Sequence, residues 1–326
     1  MSATEAAWVP AQIRNTPAGP LVDWCHLGDL RFTDPFYVQT IDRAMRHPFN
    51  LLFRRTTPLD ALAAPEACGL RLAGLIFHMT HCGSTLVAQM LASLPANVVL
   101  SEPRPIDWIL RAPTQLAGVS EDQLVQWLRA MVGALGRRRH PQERDLFIKF
   151  DGWHVTALPL LRRAFPQAPW AFIYREPVEV LVRMAQRFPG EVEPALAGLT
   201  WPQVAAMPVE RYCAVILQAI CSAAVEQYAQ GGGLLIDHNE LPEAACTRLL
   251  EHFGLHYDAA GLAGMRAVAR FDAKQPTQAY ADDREAKRSM ATPEIRYASD
   301  TLLDPLRARL QALRAEWGGR TGRNTT

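Results

Sequence analysis

The stretch LAGLIFHMTHCGSTLVAQML, residues 72–91, decides the fold. Its first part, 72–79, is a short apolar run that predicts a buried strand. A turn around Gly83 follows, and the apolar residues beyond it fall on one face of a helix that we predict from about Ser84 to Leu94. A strand, a glycine-containing loop and a helix in this order are typical of one unit of an α/β fold.

The same alternation continues toward the C-terminus. Apolar runs bounded by turn residues predict further strands at 97–102, 146–150, 170–175 and 233–238. Helical patterns fill the gaps, at about 120–137, 155–165, 177–187, 209–230 and 242–253. The alternation predicts an α/β domain over residues 72–326, in which helices flank a parallel sheet and ligands bind at the carboxyl ends of the strands.

Two regions lie outside this alternation. The aromatic and aliphatic positions of residues 1–71 predict an N-terminal helical cap that packs on the sheet domain. Residues 255–300 are rich in charge and lack a buried stripe, which predicts a long, partly mobile loop. An amphipathic last helix is predicted at about 303–317.

The composition excludes several classes of protein. The 34 Lys and Arg residues nearly balance the 33 Asp and Glu residues, so no global field favours nucleic acid or an anionic membrane. The longest apolar segment, 213–225, is far shorter than the ~20 residues of a membrane span. The N-terminus lacks the pattern of a secretory signal, and the six cysteines include no CxxC pair. We therefore expect a cytoplasmic protein without a metal site.

The loop at 81–85, HCGST, has the chemistry of a phosphate site. Successive N–H groups of this loop would lie at the N-terminus of a helix, where the macrodipole favours an anion. Gly83 lets the backbone approach the ligand, and Ser84 and Thr85 add hydroxyl donors. The GxxxxGK[ST] pattern of nucleotide hydrolases is absent, so ATP is a poor match. The same residues also fit a plain glycine turn capped by serine, in which Cys82 would pack or, at the helix N-terminus, carry a lowered pKa.

A second candidate for anion binding follows the strand at 170–175. The stretch AFIYREP places Arg175 at the end of an apolar run, with a proline at the start of the next helix. An arginine at this position faces the same rim of the sheet as the loop. A surface ion pair with Glu176 is the alternative interpretation.

Together, HCGST and YREP resemble the P-loop sulfotransferases, which transfer a sulfuryl group from 3′-phosphoadenosine 5′-phosphosulfate (PAPS). The family's loop typically reads Lys or Arg, Ser, Gly, Thr, Thr and binds the 5′-phosphosulfate. The corresponding residues here are His81, Cys82, Gly83, Ser84 and Thr85. The resemblance implies that Arg175 binds the 3′-phosphate, whereas the serine that the family has eight residues later is Arg183 here. It spans about 74–240 and is typical of a divergent, bacterial-type member.

The resemblance also implies two catalytic roles. His81 stands where the family has a cation beside the bridging oxygen, and a neighbouring bisphosphate would raise its pKa above ~6.5. Some family members take the acceptor's proton with a histidine in a KTH-like motif, where this chain has Lys149, Phe150 and Asp151. Other branches use a glutamate after the loop helix, which makes Glu102 the predicted base, with a pKa raised by partial burial.

The resemblance therefore predicts a PAPS-dependent sulfotransferase, with PAPS as co-substrate and no metal. Its acceptor would be a hydroxyl or amine of a small molecule, glycan or peptide, and Trp153, Trp201 and Phe188 either shape an aromatic acceptor pocket or belong to the core. A nucleotide-dependent kinase of the same fold family and a non-catalytic nucleotide-binding module are the alternatives. The sequence does not indicate an oligomeric state.

Overall fold

The computed structural model describes residues 6–62, 69–186 and 194–321. These ranges contain the strands β1 (Trp8–Thr16), β2 (Gly19–His26), β3 (Arg55–Pro58), β4 (Arg71–His78), β5 (Asn97–Ser101), β6 (Asp145–Lys149), β7 (Trp170–Tyr174) and β8 (Gly233–Asp237). The helices up to the last strand are α1 (Tyr37–Met45), α2 (Pro48–Leu52), α3 (Ser84–Ala92), α4 (Arg104–Gln115), α5 (Glu121–Leu135), α6 (Leu158–Ala164), α7 (Pro177–Gln186), α8 (Trp201–Ala205) and α9 (Val209–Ala229). The later helices are α10 (Glu243–Cys246), α11 (Arg248–His252), α12 (Ala259–Val268), α13 (Arg284–Ser289), α14 (Pro293–Ala298) and α15 (Asp304–Thr321).

The central sheet is parallel and has five strands in the order β5-β6-β4-β7-β8. Every residue of β5, β6, β7 and β8 is buried, because helices cover both faces of the sheet. Leu75 and Phe77 pack in one hydrophobic cluster, whereas Ile76 between them packs in the other. The predicted α/β fold with a parallel sheet flanked by helices is confirmed.

The N-terminal segment differs from the predicted helical cap. It contains β1, β2 and β3 as an antiparallel sheet, and only α1 and α2 are helical. The hairpin between β1 and β2 turns at residues 17–18, and β2 begins at Gly19, whose φ of 111° is accessible mainly to glycine. Val22 and Trp24 of this sheet share a hydrophobic cluster with Leu75 of β4. The segment is therefore packed on the central sheet, but the prediction that it is helical is wrong for its three strands.

The segment predicted as a long loop, 255–300, also differs. It contains α12, α13 and α14, and between them residues 269–283 and 290–292 lie outside helices and strands. Met265 is the buried apolar residue of α12, and Ile295 and Ala298 are those of α14. Helices that each bury so few side chains leave no periodic stripe in the sequence, which explains the wrong prediction.

Two helical segments also differ from the prediction made from the sequence. The helix predicted at 242–253 is interrupted at Thr247, where ψ is −94°, and becomes α10 and α11. Helix α4 follows β5 in a stretch for which the sequence predicted no helix. Within the described ranges, every helix is too short or too polar to cross a membrane.

Candidate active site

The loop 79–83 joins β4 to α3 at the carboxyl end of the sheet. Thr80 and His81 have φ angles of 55° and 45°, in the left-handed region that strains residues other than glycine. The amide of Thr80 donates to Nδ1 of His78 at 2.9 Å, and Arg175 Nη1 donates to the backbone oxygen of His81 at 3.5 Å. Because the first N–H groups of α3 have no acceptor within the helix, the loop can bind an anion with backbone donors.

Gly83 is required by space as well as by conformation. Its φ is 89°, and a Cβ there would lie 2.8 Å from His238 Nδ1 and 2.9 Å from Leu241 Cδ1. The strand-end residue His238 also contacts the backbone oxygen of Cys82 through Nδ1 at 3.1 Å. Close packing between the loop and the end of β8 thus fixes the path of the backbone.

The side chains of Cys82 in the loop and of the first two residues of α3 are buried in the protein. The Cys82 thiol donates to the backbone oxygen of Ile173 at 3.0 Å, and burial raises its pKa to about 11. The lowered pKa considered for Cys82 is therefore wrong, and its thiol packs in the core. Ser84 and Thr85 are also buried. The backbone N–H groups are the principal donors that this segment offers.

His81 has a neutral ring at pH 7. Burial lowers its pKa to about 3, and the positive charges of Lys274 and Arg183 act in the same direction. In the protein without a ligand, the pKa of His81 is therefore lowered, whereas a raised value was expected beside a bisphosphate. Positive charge at this position comes from neighbouring side chains instead.

Two lysines from distant parts of the chain meet at one aromatic ring. Lys149 Nζ lies 5.4 Å from the ring centroid of Phe36, and Lys274 Nζ lies 5.8 Å from the same centroid. Desolvation and the ammonium group of Lys149 lower the pKa of Lys274. Neither Lys274 nor Arg183 forms an ion pair with a residue that the structure describes. Uncompensated cations beside the loop favour an anionic ligand.

Arg175 lies on the rim with the loop, as the sequence predicted, but carboxylates already surround it. Its Nε donates to Glu179 Oε2 at 2.7 Å, and Arg288 Nε donates to the other oxygen of Glu179 at 2.8 Å. Asp283 Oδ1 lies 3.8 Å from Arg175 Nη2 and 2.7 Å from Lys287 Nζ. A phosphate bound at Arg175 would thus compete with the carboxylate of Asp283.

Glu102 lies just after β5, with a left-handed φ of 55°. Its carboxylate forms an ion pair with Lys149 Nζ and lies 3.7 Å from His78 Nε2. Burial acts to raise the pKa of Glu102, but Lys149 and His78 together lower it well below the usual range. The raised pKa predicted for this carboxylate is wrong, because its neighbour Lys149 stabilises the ionised form.

His78 connects the loop to this carboxylate. Its Nδ1 accepts from Thr80, so the hydrogen bonds assign the proton to Nε2, which donates to the backbone oxygen of Phe150 at 2.9 Å. Burial and the nearby Lys149 lower the pKa of His78 to about 4. The neutral imidazole therefore holds the loop and the end of β6 together.

Asp151 follows β6 and lies in a different electrostatic environment from Glu102. Its Oδ1 accepts from the amide of Gly152 at 3.1 Å, at the start of a 3₁₀ helix. Burial raises the pKa of Asp151, and the negative charge of Glu102 raises it further. Two neighbouring carboxylates thus have pKa values shifted in opposite directions, which is a common arrangement in acid–base sites.

The sequence analysis assigned no role to several residues of the site. His78 and Lys149 are the last residues of β4 and β6, and a polar residue at the carboxyl end of an apolar strand is a signal that could have found them. Asp283 belongs to the segment predicted as a loop, and no local pattern places it near Arg175.

The aromatic residues considered for an acceptor pocket have separate surroundings. Trp153 packs against His154, with ring centroids 4.2 Å apart, and the guanidinium of Arg111 lies 4.4 Å from its centroid. Trp201 is largely exposed. Phe188 lies outside the described residues.

Comparison with known proteins gives structural likenesses only. No family model matches the chain, and no curated protein matches its sequence. Sulfotransferase STF9 from Mycobacterium avium has 12% identity and a TM-score of 0.44, over 81% of this chain and 82% of that chain. A sulfotransferase from Alicyclobacillus acidocaldarius has 14% identity and a TM-score of 0.44, over 75% and 96%. Mouse sulfotransferase SULT7A1, complexed with PAP, has 12% identity and a TM-score of 0.41, over 78% and 93%. A functional proposal for this chain has to rest on its own residues.

Proposed function

We propose that this protein is a sulfotransferase that moves the sulfuryl group of PAPS to a hydroxyl or amine of a small-molecule, glycan or peptide acceptor. One observation carries the proposal. The cations Lys149, Lys274 and Arg183 converge beside the loop 79–83, and the carboxylates Glu102 and Asp151 lie on the same rim. Sulfuryl transfer needs both a binding site for a polyanionic donor and an acceptor for a proton.

The donor would bind along the row of cations. In the proposal the backbone N–H groups of loop 79–83, together with Lys274 and Arg183, hold the 5′-phosphosulfate. Arg175 holds the 3′-phosphate, as the resemblance to the family implies. Lys274 and Lys149 supply the charge that the family places on the loop itself. His81, with a neutral ring, can contribute a ring N–H.

The transfer step balances as an in-line displacement. The acceptor oxygen or nitrogen attacks sulfur, the bond from sulfur to the bridging oxygen breaks, and its electron pair leaves with adenosine 3′,5′-bisphosphate. By analogy with phosphoryl transfer, positioning and charge neutralisation are the main contributions of the protein. The raised pKa of Asp151 suits it to take the acceptor's proton, whereas Glu102, held ionised by Lys149, is suited to position that lysine.

A ligand panel tests the donor site. Adenosine 3′,5′-bisphosphate should raise the melting temperature more than AMP or ATP with magnesium, because only the bisphosphate engages both the loop and Arg175. At 100 times its Kd a ligand adds about 2.7 kcal/mol to the free energy of unfolding. Equal shifts for all three ligands would contradict the proposal, and a larger shift with ATP and magnesium would favour a kinase. Release of bisphosphate from PAPS then separates an enzyme from a non-catalytic binding module.

Replacing Asp283 with asparagine should tighten the binding of adenosine 3′,5′-bisphosphate. The change removes a negative charge 3.8 Å from Arg175 Nη2, and the amide oxygen can still accept from Lys287. Because Asp283 is half exposed, we expect about 1 kcal/mol, or roughly a fivefold lower Kd by calorimetry. Glu285→Gln, which neutralises an exposed carboxylate in the first turn of the adjoining helix α13, is the control. An Asp283→Asn variant with unchanged or weaker affinity would show that no phosphate binds at Arg175.

A further inference from the structure

A cavity of about 460 Å³ lies between the N-terminal sheet and α1. Its volume is within the ~300–1,000 Å³ range of small-molecule sites. Val38, Ile41 and Met45 of α1 form an apolar wall, and Trp24 of β2 and Tyr37 add aromatic surface. The cavity can therefore enclose the apolar body of a small molecule.

The charged residues of the cavity are predominantly cationic. Arg54 and Arg104 line it, and neither forms an ion pair within the part of the chain that the structure describes. Arg55 also lines the cavity, with its guanidinium 5.2 Å from the ring centroid of Trp24. Asp42 is an exposed carboxylate of the lining that forms no ion pair with the residues described by the structure, and the arginines of the lining outnumber its carboxylates.

The other carboxylate of the lining, Asp23, is already compensated. Arg14 Nε lies 3.1 Å from Asp23 Oδ2, and the Thr56 hydroxyl and the Gln12 amide each donate to the same carboxylate at 3.0 Å. The negative charge of Asp23 is thus satisfied within the protein. An anionic ligand would meet the unpaired guanidinium groups instead.

Two of the helices that border the cavity, α1 and α4, begin at the candidate active site. Arg104, the first residue of α4, follows Glu102 by two positions. Phe36, the N-cap of α1, carries the ring that Lys149 and Lys274 contact. A molecule bound along α1 would therefore be held next to the residues that we assign to donor binding and proton transfer.

We propose that this cavity is the acceptor site, and that the acceptor is an amphipathic small molecule with an apolar body and an anionic group in addition to its hydroxyl or amine. The apolar body packs on α1 and Trp24, and the anionic group binds Arg54 and Arg104. The identification of the bound molecule as the acceptor rests on the proposed sulfotransferase function. The binding of an amphipathic anion in the cavity is independent of it.

Binding without any donor tests the inference directly. The probe is 6-hydroxy-2-naphthoate, and its neutral counterpart is 6-hydroxy-2-naphthamide, both titrated by calorimetry into the full-length protein. We expect the carboxylate to bind at least about tenfold more tightly, because hydrogen bonds to a charged group are the stronger ones. Arg54→Gln and Arg104→Gln should each reduce this preference severalfold, and the double variant should abolish it.

Two further variants separate binding in the cavity from a general charge effect. Arg46→Gln removes an exposed arginine at the end of α1 that does not line the cavity, and should leave both affinities unchanged. Val38→Trp fills the cavity and should abolish the binding of both compounds. Equal affinities for the two compounds, no binding of either at millimolar concentration, or a preference that survives in the double variant would each overturn the proposal.

Turnover with PAPS tests the assignment of the cavity to the acceptor. The naphthoate should be sulfated, and Arg54→Gln should raise its KM with little change in kcat, because the arginine binds substrate and transition state equally. If a different acceptor is sulfated with unchanged KM in Arg54→Gln and Arg104→Gln, the cavity is not the acceptor site. If bisphosphate binding fails while the carboxylate preference persists, the binding of an amphipathic anion in the cavity stands, and the sulfotransferase function and the acceptor role of the cavity are what fail.

Discussion

Asp151→Asn is expected to lower kcat by about a hundredfold or more, the usual contribution of a positioned proton acceptor. Asparagine can still accept from the amide of Gly152, so the start of the 3₁₀ helix is preserved. The affinity for adenosine 3′,5′-bisphosphate should stay unchanged, because Asp151 has no assigned contact with the donor. Steady-state kinetics with PAPS and calorimetry with the bisphosphate measure the two quantities.

The pH profile distinguishes Asp151 from Glu102. Asp151 can accept a proton only when it is ionised, so kcat should fall as the pH falls through its raised pKa. Glu102→Gln removes a charge that raises this pKa, and the acid limb should then move to lower pH. If Asp151→Asn keeps its turnover and Glu102→Gln loses it, Glu102 is the base and the assignment to Asp151 is wrong.

Lys149→Met is expected to lower the free energy of unfolding by about 3–5 kcal/mol. Lys149 is buried, and its loss leaves the carboxylate of Glu102 without its partner, which is the costly way to break an internal ion pair. Lys274→Met, which removes an exposed lysine from the same aromatic ring, should cost well under about 1 kcal/mol. Urea unfolding monitored by circular dichroism measures both variants.

The pH dependence identifies the ion pair as the cause. The pKa of Glu102 is lowered in the folded protein, so its stabilising contribution is present above the unfolded pKa of ~4.3 and is lost as the pH falls through the folded pKa. In Lys149→Met burial still acts to raise that pKa, and the ionised carboxylate becomes destabilising at neutral pH. The difference between wild type and variant should therefore be largest near pH 7 and shrink in acid. A difference that does not change with pH would point to lost packing of the lysine stem instead.

The central sheet was predictable because its strands are buried on both faces. Such strands read as unbroken apolar runs, and the run predicted at 146–150 is β6, Asp145–Lys149. The N-terminal sheet and the helices α12, α13 and α14 were not predictable in this way. Their elements bury few side chains each, so their residues carry little periodicity.

The candidate site likewise combines features that the local sequence predicts with features that it does not. The loop, Gly83 and the position of Arg175 follow from local pattern, because each depends on a strand and the turn after it. The charge states do not, since they depend on partners from other elements. Lys149, which lowers the pKa of Glu102 where a raised value was expected, is 47 residues away from it in the chain. The pKa of His81 is lowered by Arg183 of α7 and by Lys274, which precedes α13.

The aromatic ring of Phe36, between Lys149 and Lys274, also bears on protein synthesis. A ribosome releases the chain from its N-terminus at about 5–20 residues per second, and domains can begin to fold before synthesis ends. Phe36 and Lys149 emerge well before Lys274, so a nascent chain can assemble the central part of the sheet while one of the ring's two cations is still missing. The candidate site therefore gains its full positive charge only late in translation, after the carboxylates Glu102 and Asp151 on the same rim have already emerged.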